Sequence, residues 1–373
     1  MVSLSTVHAH NATLKSLGPG LVAVFVGGTS GISLSTALSF ARHTTAPRIY
    51  LIGRSQPAAT SAIETIKTLN PEARATFLQS DISLLRNVDN VCEEIKKQEE
   101  KLNILFMTPG YMTLKGRDET LEGLDRKFVL HYYARMRFVQ NLLPLLTAAA
   151  AAAAASSSPS APDSGSTNRG QGAKLSRVIS VLDPLVSIRG SILGLGKPML
   201  DYDDLSLKRS FSLTKCGHHA SLMNNFFLEG MAQINPGTSF LHAYPSGVDT
   251  GILRDVPGGR VSRAVLRAVL KPFMLGVEES GERHLFAATS ARFSARNKNG
   301  DGDGDGNENG EGEVAIGSDG SQGSGCYWVS WDGEVFPEHA KISAKRGEAA
   351  VERIVEHTEE VFQQICEEGL TYP

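Results

Sequence analysis

The sequence predicts an α/β fold, a doubly wound parallel sheet in a single domain carrying low-complexity insertions. Three observations carry this reading. The apolar run 21–26 passes directly into Gly27-Gly28-Thr29-Ser30-Gly31-Ile32-Ser33 and then into the helix-like stretch 34–41. Three further apolar segments follow, each ending in a glycine or polar turn. Helical periodicity fills the stretches between them, so the order reads βαβαβαβ and the strands run parallel.

In chain order, the first strand feeds a turn that needs glycine for two reasons. Gly27 lets the chain reverse tightly, and Gly31 lets backbone N–H groups approach a pyrophosphate at a positive helix N-terminus. Glycines at such junctions also serve packing alone, so the turn is not specific by itself. The second strand, 48–52, ends in Gly53-Arg54-Ser55; the third, 75–78, ends in Ser80-Asp81; the fourth, 102–107, ends in Thr108-Pro109-Gly110. Segments 62–69 and 88–97 supply intervening helices. Ligands of such sheets lie at the carboxyl ends of the strands, where these four turns fall.

The fold is thus Rossmann-type, and the chain resembles the short-chain dehydrogenase/reductase superfamily. The family's Thr-Gly-x-x-x-Gly-Ile-Gly is matched at Gly27, Gly31 and Ile32, with Val26 and Ser33 at its two ends. Asp81 matches the adenine-contacting Asp after the third strand, and Gly110 is what survives of Asn-Asn-Ala-Gly after the fourth. Residues 121–146 look like the long central helix, and Pro245-Ser246-Gly247-Val248-Asp249-Thr250 looks like the Pro-Gly-x-Val-x-Thr segment with one residue inserted. The resemblance covers residues 18–295. It implies a dinucleotide held by Gly27, Thr29, Ser30, Gly31, Ile32, Arg54, Asp81 and Gly110. An acidic residue after the second strand would suit NAD; Arg54 there suits the 2′-phosphate of NADP, unless it is only an exposed turn residue.

The catalytic set departs from the family. Its machinery is a Tyr-x-x-x-Lys on one helix, a Ser after the fifth strand and an Asn in the central helix. Here the fifth strand is 177–181, the Ser position holds Leu182 or Asp183, and the Asn position falls on His131. One register places Phe211 and Lys215 at the Tyr-Lys pair; another, favoured by the downstream match, places Gly217 and Ser221 there. The tyrosine is absent in both, and a benzene ring donates no proton. Substitutes near the expected site are Lys215, His218, His219, Asp183 and Tyr202. Histidine titrates near neutral pH and serves as acid or base. The plain alternatives are that the histidines face solvent or a subunit contact, and that Asp183, before Pro184, forms a turn. The chain also resembles a fungal subgroup of the superfamily, through Phe211-Ser212-Leu213-Thr214-Lys215-Cys216 and Asn235-Pro236-Gly237-Thr238-Ser239-Phe240-Leu241-His242. That resemblance implies a role in secondary metabolism and a polyketide or terpenoid substrate.

Composition limits the rest. The 373 residues fill one α/β core, and the surplus is low in complexity. Residues 1–17 form an N-terminal segment, 18–295 the dinucleotide-binding domain with an insertion at 148–173 that lengthens the central helix and then runs into a disordered loop, 296–325 a disordered acidic Gly-rich insertion, and 326–373 a C-terminal strand and helix. In that last part Val351, Ile354, Val355, Val361, Phe362 and Ile365 recur at helical spacing, so the helix should pack on the body or on a partner. A net charge of −3 without basic runs argues against nucleic acid. Asp301, Asp303, Asp305 and Gly306 mimic an EF-hand start, but Gly312 stands where Glu is needed, so no metal site is expected. Four scattered cysteines, no signal-peptide core and no apolar run of spanning length read as a cytoplasmic chain without a membrane span. The apolar stretch 261–290 suggests an apolar small-molecule substrate.

These readings converge on an NADP-dependent oxidoreductase acting on a carbonyl or alcohol of a bulky apolar metabolite. Alternatives from other classes are a redox-silent isomerase or cyclase using the same cleft, and a non-catalytic dinucleotide-binding protein. The resemblance implies a homodimer through the central and sixth helices, which the insertion after Leu146 could obstruct.

Overall fold

The computed structural model describes residues 1–111, 113–156, 175–186, 200–250, 271, 274–296, 313–336 and 349–373. Its centre is a seven-stranded sheet of parallel neighbours: β1 (Val22–Val26), β2 (Arg48–Gly53), β3 (Arg74–Gln79), β4 (Ile104–Met107), β5 (Arg177–Val181), β6 (Ser239–Ala243) and β7 (Cys326–Val329). They lie in the order β3-β2-β1-β4-β5-β6-β7. The order reverses between β1 and β4, which is where a doubly wound sheet opens a crevice. Residues of β1, β4, β5, β6 and β7 are buried throughout, as strands covered on both faces must be.

Helices cover the two faces. On one side lie α2 (Gly31–His43), α3 (Gln56–Leu69) and α7 (Val277–Thr289), closing a core with Phe25, Phe40, Phe106 and Leu285. On the other lie α4 (Leu85–Lys96), α5 (Ala134–Ser156), α6 (Leu213–Ile234) and α8 (Ala350–Phe362), closing a core with Val24, Phe128, Phe226 and Trp328. The N-terminal segment forms α1 (Leu4–Thr13), where Val7 joins the first core and the Asn11 amide donates to Glu282 of α7.

Two elements differ from expectation. The central helix does not run evenly from residue 121: Asp125 caps a three-residue turn, Arg126–Phe128, and a π-helical turn, Val129–Tyr133, precedes α5. Residues 313–325, read as part of a disordered insertion, form a turn in which Ser318 Oγ donates to the buried Glu229 of α6 at 3.0 Å. The EF-hand-like stretch 301–312 and residues 157–173 lie outside the described residues.

The C-terminal helix packs on the body. A Cβ on Gly230 of α6 would lie 2.8 Å from Val351 Cγ1, so only glycine admits α8 at this distance. Tyr132 and Tyr133, on the π-turn, bond Thr358 and His357 of α8 at 2.6 and 2.8 Å. Beyond α8, Arg86 donates to the carbonyls of Ile365 and Leu370, and the Tyr372 amide donates to Glu122 O.

Candidate dinucleotide site and its catalytic rim

The glycine turn has the geometry the sequence requires. Gly27 and Gly31 have φ of +79° and +60°, a region that disfavours side chains. A Cβ on Gly27 would lie 3.0 Å from Thr108 Oγ1, and one on Gly31 would lie 3.4 Å from Thr250 Cγ2. The turns after β1, β4 and β6 therefore converge on one rim. Ser30 stands at the N-cap of α2 but its side chain makes no capping bond, which leaves the first amides of the helix available to an anion. Thr29 packs over Gly53 at the end of β2. Ile32 lies against the apolar core, and Ser33, where the family has glycine, turns inward to the Val26 carbonyl at 3.5 Å.

At the ends of β2 and β3, against α4, a groove of about 630 Å³ is lined by Arg54, Gln79, Ser80, Asp81, Asn87 and Glu94, among others. Arg54 is exposed and its guanidinium bonds none of the described residues. Asp81 is partly engaged: Oδ1 accepts from the Ser83 amide at 3.1 Å, and Oδ2 faces Arg126 at 3.8 Å. The open helix terminus, the two positive-φ glycines and the cation beside the groove fit a phosphorylated dinucleotide.

The opposite end of the rim is built on Arg135, which sequence reasoning missed. This guanidinium is 1% exposed. It donates to Pro109 O at 2.6 Å, Val181 O at 2.9 Å, Ser180 Oγ at 2.8 Å and Leu130 O at 3.1 Å. It thereby ties the ends of β4 and β5 to α5. All four partners are neutral, and burial pulls its pKa down to about 9. An arginine inside an apolar helical run was the available signal.

Above this clamp sits His131. A Cβ on Gly110 would lie 2.7 Å from its Nε2, so the imidazole rests on that glycine. Its backbone carbonyl accepts from Asn224 Nδ2 at 2.8 Å, and Asn224 Oδ1 accepts from Ser180 at 2.9 Å. Burial, then the charges of Arg135 and Lys127, hold the ring well below the usual imidazole range. Tyr111 follows Gly110, and burial, with Asp125 and Asp118 adding, pushes its phenol up to about 12.

The structure also separates the two registers for the missing Tyr-Lys pair. Phe211 precedes α6, whose N-cap is Ser212, so Phe211 and Lys215 are not one turn apart on one helix. Gly217 lies against Val186, at 3.7 Å from where its Cβ would be, and Ser221 Oγ donates to Asp183 O at 2.8 Å. Gly217 and Ser221 thus face the end of β5. Asp183 Oδ1 caps its own turn, accepting from the Leu185 amide at 2.9 Å. Lys215 is 45% exposed and pairs with Asp201 at 3.6 Å. His218 is buried in α6. His219 accepts from the Asp201 amide and meets Leu205 O at 3.2 Å, and burial draws its pKa down to about 4. Among the described residues no group of His, Cys, Asp and Glu could hold a metal, and no helix is long and apolar enough to cross a membrane.

Comparison with known proteins agrees with this geometry. Residues 21–158 match the family described as short chain dehydrogenase. "Oxidoreductase AN1596" of Emericella nidulans is 40% identical over 368 residues, covering 98% of this chain and 99% of that one. "Oxidoreductase andH" of Emericella variicolor is 33% identical, covering 98% of each. "Oxidoreductase lepF" of Aspergillus flavus is 31% identical, covering 99% of each. Among solved structures, NADPH-bound carbonyl reductase from chicken fatty liver superposes with a TM-score of 0.51 at 14% identity, covering 86% of this chain and 99% of that one. L-sorbose reductase from Gluconobacter frateurii gives 0.50 at 18% identity, covering 75% and 94%. With the sheet order, the glycine turn and relatives matched over nearly their whole length, the chain belongs to the short-chain dehydrogenase/reductase family.

Proposed function

We propose that the chain is an NADP-dependent oxidoreductase acting on the carbonyl or alcohol of a bulky apolar metabolite, in fungal secondary-metabolite biosynthesis. The observation that carries this is the uncapped N-terminus of α2 behind Gly27 and Gly31, with Arg54 exposed and lining the groove at the ends of β2 and β3. Gly27, Thr29, Ser30, Gly31 and Ile32 cradle the pyrophosphate side, Arg54 takes the 2′-phosphate, Asp81 faces the adenine and Gly110 admits the nicotinamide half. The bound dinucleotide supplies or accepts the hydride; the protein's part is to orient the substrate and handle a proton. Asp183, Lys215 and His218 belong to the elements that border the substrate side. The full-length likeness to oxidoreductases of Emericella and Aspergillus supports the pathway class. The apolar character of the substrate rests on 261–290, most of whose first half lies outside the described residues. The four cysteines form no disulfide among the described residues, in keeping with a cytoplasmic setting.

A second reading is favoured by one observation: neither Phe211 nor Gly217, the residues that the two registers put at the family's phenol, carries a proton donor in its side chain. In that reading the protein is a redox-silent isomerase or cyclase. The two separate in one assay. The purified protein is given NADPH and bulky apolar ketones, and both absorbance at 340 nm, the reduced nicotinamide band, and product mass are followed. Loss of NADPH matched by a gain of two hydrogens in the product supports the oxidoreductase. Product of unchanged mass without NADPH loss supports the isomerase.

A further inference from the structure

The buried and half-buried histidines among the described residues are mostly anchored. His43 bonds Glu282, His284 bonds the Ser280 carbonyl, His357 bonds Tyr133, and His219 sits between Asp201 and Leu205. His131 differs. Its residue is half-buried, and its ring bonds none of the described residues. Its place is nonetheless tightly determined, because the carbonyl is held by Asn224 and the ring is seated on Gly110. The residue lies in the π-turn Val129–Tyr133. Such turns recur at functional sites because they re-aim one side chain out of the helical repeat. A positioned imidazole whose nitrogens bond none of the described residues, over the glycine that ends β4, is what an acid–base group requires.

We propose that His131 is the acid–base residue of this site, exchanging a proton between a ring nitrogen and the substrate oxygen in place of the absent tyrosine. This rests on the oxidoreductase reading above. In the reductive direction the carbonyl carbon gains a hydride from the reduced dinucleotide and its C=O π bond opens toward oxygen. The oxygen takes the proton of the imidazolium, leaving an alcohol, a neutral imidazole and the oxidised dinucleotide. Oxidation is the reverse, with the neutral ring accepting the hydroxyl proton. The charged groups that face the ring are Arg135 of α5 and Lys127 of the preceding turn; from α6 it meets the neutral Asn224, and from the end of β4 the uncharged Gly110. Burial, and then these two cations with no carboxylate among the described residues, favour the neutral ring, so reduction should slow as pH rises through the ring's pKa, while oxidation should rise and level off.

The test joins a spectroscopic readout to turnover. Ring signals of His131 in isotope-labelled protein are assigned through bonds and titrated with acid and then with NADPH, with exposed His8 as the control. The expected result is a ring that is neutral at pH 7, titrates below pH 6.5 and shifts on NADPH addition while His8 does not. His131→Gln should bind NADPH within about twofold of the parent. It should reduce an apolar quinone probe, 9,10-phenanthrenequinone, about 100-fold or more slowly, with the pH dependence of the step lost. NADPH that binds but leaves the His131 signals in place overturns the proposal, as does a variant with parental turnover and pH profile. Absence of NADPH binding to the parent instead overturns the oxidoreductase reading, and the two failures are therefore distinct.

Discussion

Arg135 and Pro109 are joined by a 2.6 Å hydrogen bond from a fully buried guanidinium to a backbone carbonyl at the end of β4. The same side chain holds Val181 O at the end of β5, so one residue of α5 sets the spacing of the two strands that border the crevice. No carboxylate among the described partners offsets this charge, and its cost is met by four hydrogen bonds.

Replacing that clamp should be severe. Arg135→Met removes every donor and leaves buried carbonyls of Pro109 and Val181 without partners. Unfolding free energy should fall by about 3–5 kcal/mol. Arg135→Lys should recover little of it, because an ammonium cannot reach three directions in one plane. Denaturant melts of the two variants check this, and a loss below about 1 kcal/mol for Met contradicts the clamp.

Arg54 should govern the choice between the two nicotinamide dinucleotides. Arg54→Ala should weaken NADPH about 10–100-fold, the worth of one charge-assisted phosphate contact, and change NADH by less than twofold. Fluorescence titration of both forms decides it. Equal loss for the two would remove Arg54 from the 2′-phosphate site.

Gly230 should decide whether α8 stays on the body. With Val351 Cγ1 so close to the position of a Cβ, Gly230→Leu should force α8 off α6. Because α8 packs on α6, one of the helices implied in pairing by the family resemblance, the parent should run as a monomer in light scattering. The variant should expose the face and self-associate or aggregate. A parent of dimer mass contradicts this.

Acid should unfold the chain partly through Glu282. Burial raises this carboxyl's pKa, but hydrogen bonds from His43, Asn11 and Ser39 outweigh burial and hold it at about 2. A group whose folded pKa is depressed stabilises above its unfolded value and loses that contribution as pH falls through the folded one. Stability should therefore drop between about pH 4.5 and pH 2. Glu282→Gln should be less stable at pH 7 and show a shallower acid limb in thermal melts. An unchanged acid limb contradicts the assignment.

The fold was largely legible because β1 to β4 are short apolar runs with clear glycine or polar stops, and periodicity marks α3 and α4. The glycine turn was legible for the same reason, since Gly27 and Gly31 carry a conformational demand that sequence displays. The rim around His131 and Arg135 was not. The π-turn before α5 has no propensity signal, so His131 could be assigned to a helix position but not to a place over Gly110. Arg135 was hidden in an apolar run whose plain reading is core. The amphipathic stripe of Val351, Ile354 and Phe362 announced a packed helix, yet its partner depends on Gly230, which is distant in sequence.

The most direct test of the account is a titration of the purified chain with NADPH and NADH, followed by nicotinamide fluorescence, beside a Gly31→Val variant. The account predicts micromolar binding with NADPH preferred, and its loss in the variant, where a β-branched side chain meets both a positive φ and Thr250. No binding of either dinucleotide to the parent, or equal binding to the variant, would contradict it.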